Sequence, residues 1–223
     1  MSFGPFIPAF EQLPGSLPVF PLTGVLLLPR GHLPLNIFEP RYIAMIDAAL
    51  ATDRLVGMVQ PCDPEGGESP AGQPALYRTA CAGRITSFDE TEDGRYLITL
   101  TGICRFHILG DTLANAGYRR AEADWSAFAD DYREQPLRFD RQRLTTALDA
   151  FFRQHGISAD WDALEETPDE RLVTSLSMIC PFEPTEKQAL LEAPTLAARA
   201  EMMVSLVEMA VFSCDDGQKR ARH

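Results

Sequence analysis

Residues 77–109 read YRTACAGRITSFDETEDGRYLITLTGICRFHIL. Tyr77 to Thr91 alternates loosely between apolar and polar positions. After it, Tyr96, Ile98 and Leu100 fall on one side of an extended chain, and Ile103, Phe106 and Ile108 continue the pattern in shifted phase. Period-two patterning over such lengths predicts two long strands. Asp93-Gly94 between them predicts a tight hairpin with a primed turn, because such a turn needs positive φ. Gly102, where the phase changes, predicts a β-bulge.

Upstream, the punctuation is that of more strands. Leu17–Leu22 and Val25–Leu28 are short apolar runs separated by Thr23-Gly24, and Pro18 and Pro21 predict an edge or irregular course for the first. Leu33–Phe38 and Leu55–Val59 add two strand candidates. Between them Pro40 stands where a helix would start, and Tyr42, Met45, Ile46, Ala49 and Leu50 recur at helical spacing. Residues 60–75 carry four prolines and three glycines and predict a long loop. Tyr118–Trp125 closes this half as a further strand.

Downstream the period changes to that of helices. Leu144, Ala147, Leu148, Phe151 and Phe152 share a face, with Gly156 as a C-terminal cap. Thr167 reads as an N-cap with Pro168 at the first helical position, before Leu172, Val173, Leu176 and Ile179. Thr185 and Gln188 read as a capping box. From Thr195 to about Cys214, Leu196, Ala200, Met203, Val207 and Ala210 form a stripe widened by Met202, Leu206 and Met209. Residues 218–223 read as a disordered basic tail. Strands first and helices second mean an α+β fold. The expected division is residues 1–125, β-rich, and residues 126–223, a helical bundle, joined by a polar link with Asp130, Asp131 and Glu134.

Composition removes several functions. The 223 residues carry 20 basic and 32 acidic side chains, a net charge of −12. Residues 1–118 hold 7 basic and 12 acidic groups, so neither half offers a general surface for nucleic acid. No apolar run approaches the roughly 20 residues of a membrane helix. Met1–Gly15 lacks a positive charge and is broken by three prolines, unlike a signal peptide. Cys62, Cys81, Cys104, Cys180 and Cys214 are odd in number and widely spaced, which argues for buried free thiols in a reducing cytoplasm.

The catalytic motifs are missing as well. There is no P-loop, no G-x-G-x-x-G, no G-x-S-x-G and no H-E-x-x-H. The acidic cluster Asp89, Glu90, Glu92, Asp93 departs from a calcium loop, with Thr91 and Leu100 where ligands belong, and reads as a solvated hairpin tip. A Ser-Lys dyad would have to use Lys187 or Lys219, the only two lysines. Both read as exposed, which would leave their amines too basic to act as a general base. His107 reads as a structural histidine in a strand and His155 as a helix C-terminal residue suited to the dipole. No metal site, cofactor or enzymatic activity is implied.

Leu17-Pro-Val-Phe-Pro-Leu22, Leu28-Pro29, Leu33-Pro34-Leu35 and Ile37-Phe38-Glu39-Pro40-Arg41-Tyr42 resemble the opening of the LON domain, the N-terminal substrate-binding domain of ATP-dependent Lon protease. Ala82-Gly-Arg-Ile85 and Gly102-Ile-Cys-Arg-Phe106 resemble its central strands, and Glu186-Lys-Gln-Ala-Leu-Leu-Glu192 with Leu196 and Arg199 its helical end. The resemblance implies a PUA-like pseudo-barrel followed by a helical bundle. The ATPase and protease modules of Lon have no counterpart here, so the likeness is to free-standing bacterial LON-domain proteins. It implies a non-enzymatic module that binds unfolded or hydrophobic polypeptide segments, or a partner protein, with Phe38, Glu39, Arg41 and Tyr42 as candidate contacts and the last helix as a candidate for homo-oligomer formation. Because PUA-like domains also occur in RNA-binding proteins, an RNA-associated module is the alternative.

Overall fold

The computed structural model describes residues 6–62, 74–133 and 137–220, with side chains of the last helix described as far as Phe212. Six strands come first: β1 (Ser16–Pro21), β2 (His32–Ile37), β3 (Leu55–Val59), β4 (Thr79–Glu90), β5 (Tyr96–Leu113) and β6 (Arg119–Asp124), with α1 (Pro40–Leu50) between β2 and β3. Five helices follow: α2 (Arg141–His155), α3 (Trp161–Glu166), α4 (Asp169–Ile179), α5 (Pro184–Glu192) and α6 (Leu196–Arg220). The architecture is α+β, built on one mixed sheet.

The strand order is β2-β5-β4-β3-β1-β6, and β5 pairs again with β6. This places β1 between β3 and β6, a correction to its expected edge position. Both prolines are tolerated because the two ladders are staggered. Ser16–Val19 pairs antiparallel with β6, and Val19–Pro21 pairs parallel with β3. Pro18 and Pro21 therefore each have a strand partner on one side only, where a missing N–H need not break a ladder.

Val25–Leu28 is a second correction. It forms no strand, although Leu26, Leu27 and Leu28 are buried. Instead it lies against the sheet over two glycines. A Cβ on Gly102 would sit 1.9 Å from the Leu28 carbonyl oxygen, and one on Gly83 2.6 Å from Leu27 Cδ2. Arg30 N donates to Gly102 O (2.8 Å) and Gly102 N to Gly31 O (2.8 Å). The bulge is where the sequence places it, since Gly83 faces Gly102 while Ala82 already faces Cys104.

The hairpin turn is longer than expected. Thr91 N donates to Arg95 O (3.0 Å), leaving three residues in the loop, with Gly94 at φ 80°. A three-residue loop ending in a left-handed residue replaces the primed two-residue turn.

Helix starts differ where side chains were ambiguous between caps. Thr167 closes α3, its hydroxyl donating to Ala163 O (2.7 Å), and Pro168 is the N-cap of α4. α5 begins at Pro184 with Glu183 as N-cap, and Glu186 accepts from Glu183 N (2.9 Å), so the capping box lies two residues before Thr185. α3 was not legible in advance; Asp160 caps it and Trp161 packs on Phe152, ring centroids 6.0 Å apart. α6 continues through Arg220, past the expected end, so residues 218–220 are helical rather than a disordered tail. Its stripe is buried at Leu196, Ala200, Met203 and Val207, but Met209 is exposed and drops out of it.

One apolar cluster spans both halves, from Phe20, Leu28, Met45 and Leu100 to Leu148, Leu176, Leu191 and Val207. A second, smaller cluster is centred on Phe106, Ile103 and Val19 and is covered by Phe128. Each fully buried side chain of this size stabilises the fold by roughly 1.5–3 kcal/mol relative to exposure. Cys81, Cys104 and Cys180 are free and buried; burial pushes the first two thiols well up and Cys180 to about 12.

Candidate functional site

The corner between β2 and α1 carries the four candidate contact residues. Pro40 opens α1 with its φ already helical, so the chain turns sharply after Ile37. Glu39 is the N-cap by backbone, its carbonyl accepting from Tyr42 N and Ile43 N (both 2.9 Å). Its side chain does not cap the helix; it accepts from Arg41 Nε (2.9 Å) and Nη2 (2.8 Å), and both residues are half-exposed. The Arg41 guanidinium lies over the Tyr42 ring at 4.5 Å.

The structure separates the two aromatics. Tyr42 is 8% exposed and packs on Phe20, ring centroids 4.3 Å apart, and burial raises its hydroxyl pKa. Phe38 is 64% exposed. Register explains what surrounds it. Ile37 pairs with Tyr96, so Phe38 meets the β4–β5 hairpin, where the Arg95 guanidinium lies 6.0 Å from its ring. On that hairpin Tyr96 stacks edge-on against Phe88 at 4.9 Å and donates to Asp47 Oδ1 of α1 (3.0 Å). Arg95 and Tyr96 thus belong to this corner and were missed from sequence; cross-strand register was the signal that would have found them. The long loop anticipated beside the corner lies outside the described residues over 63–73. Its end is clamped by buried Arg119, which donates to Pro74 O (2.7 Å) and pairs with Asp111 through two 2.7 Å bonds.

A buried polar seam joins the sheet to the helices. Arg105 of β5 and Asp131 are 3% and 5% exposed. Asp131 was expected in a solvated link; instead its carboxylate accepts from Arg105 N (2.9 Å), Nε (2.9 Å) and Nη2 (2.7 Å). Arg105 Nη1 donates across the seam to Leu191 O (3.0 Å) and Ala193 O (2.6 Å). Arg30 pairs with Glu170 nearby. Arg199 of α6, 4% exposed, donates through Nε to Leu190 O (2.9 Å); burial and the neighbouring Arg105 push its pKa down to about 10.

Lys187 corrects a sequence expectation. It is 8% exposed, not solvated, and its Nζ donates to Gly24 O (2.8 Å). Burial lowers its pKa, and the neighbouring Cys180 acts in the opposite direction. The amine is nevertheless engaged with a backbone carbonyl and has no hydroxyl partner among the described hydrogen bonds, so its geometry is that of a clasp. Gln188 beside it donates to Thr79 O (3.2 Å) and Glu192 Oε1 (2.7 Å), and Gln60 Nε2 to Pro184 O (2.8 Å). The Lys187–Glu192 string is therefore the structural fastener between layers. Among the described residues no cluster of three His, Cys, Asp or Glu side chains could hold a metal ion.

A model of the ATP-dependent protease La (LON) substrate-binding domain family matches residues 16–209. The chain belongs to this family. It is 24% identical over 200 residues to Lon protease 2 of Myxococcus xanthus, covering 88% of this chain and 24% of that one. It is 23% identical over 200 residues to the Lon protease of Anaeromyxobacter dehalogenans, covering 88% and 23%. This LON domain thus spans about a quarter of the length of those relatives. Its fold resembles the Lon N-terminal domain protein from Xanthomonas campestris (TM-score 0.57, 24% identity, 85% of this chain and 97% of that one). It also resembles the N-terminal domain of the Mycobacterium avium complex Lon protease (TM-score 0.56, 14% identity, 86% and 97%). Among the described residues no helix of the LON domain is long and apolar enough to cross a membrane.

Proposed function

We propose that this LON domain is a non-enzymatic polypeptide-binding module of the cytoplasm, an adaptor or holder for unfolded or hydrophobic segments. The observation that carries the reading is the match to a substrate-binding domain over residues 16–209. The corner at Phe38 supports it. An aromatic ring held out at 64% exposure between a rigid strand end and a proline-started helix is an anchor for apolar side chains. The Glu39–Arg41 pair beside it offers a donor and an acceptor to a peptide backbone, and Tyr42 roots the corner in the core. Buried thiols that stay protonated, and a Lys187 amine spent on a carbonyl, support a non-catalytic role.

We read residues 1–125 as a PUA-like pseudo-barrel and 126–223 as the helical bundle. The return pairing of β5 with β6 supports the first. Exposed Met209 and Phe212 on α6 support that helix as a contact for a second copy. A net charge of −12 weighs against the RNA-associated alternative.

The test is fluorescence anisotropy of labelled unfolded polypeptides, apolar against scrambled polar, titrated with wild-type protein and Phe38→Ala. Preferential binding of the apolar peptide, weakened several-fold by Phe38→Ala, supports the reading. Equal weak binding of both peptides refutes it, and tighter, steeply salt-dependent binding of RNA would put the alternative in its place.

A further inference from the structure

Residues 6–15, which precede β1, read FIPAFEQLPG and stand outside the span that matches the family model. They lie across the smaller apolar cluster, with Ile7, Phe10 and Leu13 half-buried against it. The surface beneath them is made by Trp125, just after β6, and by the short 3-10 segment Ser126–Tyr132. Phe10 meets Tyr132 edge-on, ring centroids 5.6 Å apart, and Trp125 rests on buried Phe106 at 5.0 Å. The polar tips of the same two groove side chains hold the arm by its backbone. Tyr132 Oη donates to Pro8 O (3.0 Å) and Trp125 Nε1 to Pro14 O (2.9 Å). Ala9 (φ −63°, ψ 157°) and Leu13 (φ −64°, ψ 135°) have polyproline II geometry, on either side of the single turn Phe10–Gln12.

Aromatic side chains that pack on an extended, proline-bearing chain while donating to its carbonyls are a general means of recognising such chains between molecules. Proline-bearing segments suit it because they are partly ordered before they bind. Both donors end on backbone carbonyls, which every polypeptide carries, so selectivity falls to the ring seated on Tyr132 and to the prolines around it. We propose that this groove is a recognition site for polypeptide segments with an aromatic residue between prolines, and that residues 6–15 occupy it in cis as an autoinhibitory strap. An incoming segment takes the seat of Phe10 and the two side-chain donors, and the arm is displaced. The proposal rests on the polypeptide-binding reading for its class of ligand, but the groove shares no residue with the Phe38 corner.

The test is fluorescence anisotropy of a labelled peptide FIPAFEQLPG titrated with the full chain, as wild type and as Phe10→Ala. In wild type the arm competes at an effective concentration in the millimolar range, so the peptide is expected to bind Phe10→Ala at least about tenfold more tightly. Adding Tyr132→Phe to Phe10→Ala removes one donor and should weaken binding about 2- to 10-fold. Adding Phe38→Ala instead should leave it unchanged. Should Phe10→Ala fail to fold, Ile7→Ala weakens the same arm and takes its place. No binding to the arm-weakened chain, or equal affinity for that chain and wild type, overturns the proposal and leaves the Phe38 reading standing. Loss of binding on Phe38→Ala also overturns it, by moving the peptide to the Phe38 corner.

Discussion

Replacing Asp131 by Asn tests the claim that a buried ion pair organises the seam. The carboxylate receives the Arg105 backbone N–H and the Nε and Nη2 of its guanidinium at 2.7–2.9 Å. Both side chains are almost fully removed from water. The amide keeps the shape but loses the charge, and its NH₂ must face a donor. Arg105 then remains buried beside Arg199 with no carboxylate of its own, while its bonds to Leu191 O and Ala193 O still hold it in place. Breaking one side of a buried pair costs about 3–5 kcal/mol. For a chain of this length each kcal/mol shifts Tm by about 2–4 °C, so a fall of about 6–20 °C is expected. Urea unfolding followed by circular dichroism gives the free energy, and calorimetry gives Tm. A loss below about 1 kcal/mol would refute the argument, because a pair worth so little is behaving as a solvated one. The double variant Asp131→Leu with Arg105→Met should recover much of the loss, since removing both charges removes the desolvation cost with them.

Three further outcomes follow from the geometry. Gly102→Ala should destabilise by about 3 kcal/mol, because its Cβ meets a backbone oxygen at 1.9 Å that cannot step aside, whereas Gly110→Ala, with nothing within 4 Å, should cost under about 1 kcal/mol in the same urea assay. Tyr42→Ala should lose about 3–4 kcal/mol through the cavity left against Phe20, while Phe38→Ala should leave stability within about 0.5 kcal/mol of wild type. The pH dependence of Lys187 has a definite sign. Its folded pKa lies below the ordinary 10.5, so the unfolded chain binds more protons between the two values. Wild-type stability relative to Lys187→Met should therefore rise with pH as it approaches 10.5, and a falling difference would show that the amine is not desolvated.

Much of the fold was legible because period-two and period-3.6 patterns depend on which face meets the core, and both halves obey them. The bulge at Gly102, the entry of α1 at Pro40 and the left-handed Gly156 that caps α2 follow from local chemistry, which neighbouring residues suffice to set. The resemblance that names the family was likewise carried by short strings, Phe38–Tyr42 and Lys187–Glu192. What those strings do was decided elsewhere. Lys187 and Gln188 look like the exposed first turn of a helix until Gly24 O and Thr79 O, far away in the chain, arrive to bury them. Asp131 looks like solvated linker until Arg105 takes its carboxylate. Val25–Leu28 has strand composition but crosses glycines instead of joining a ladder, and Pro18 is tolerated inside the sheet only because two ladders are staggered around it. In each case the deciding partner is distant in sequence, so its charge, carbonyl or missing Cβ enters the local energy only after the chain has folded.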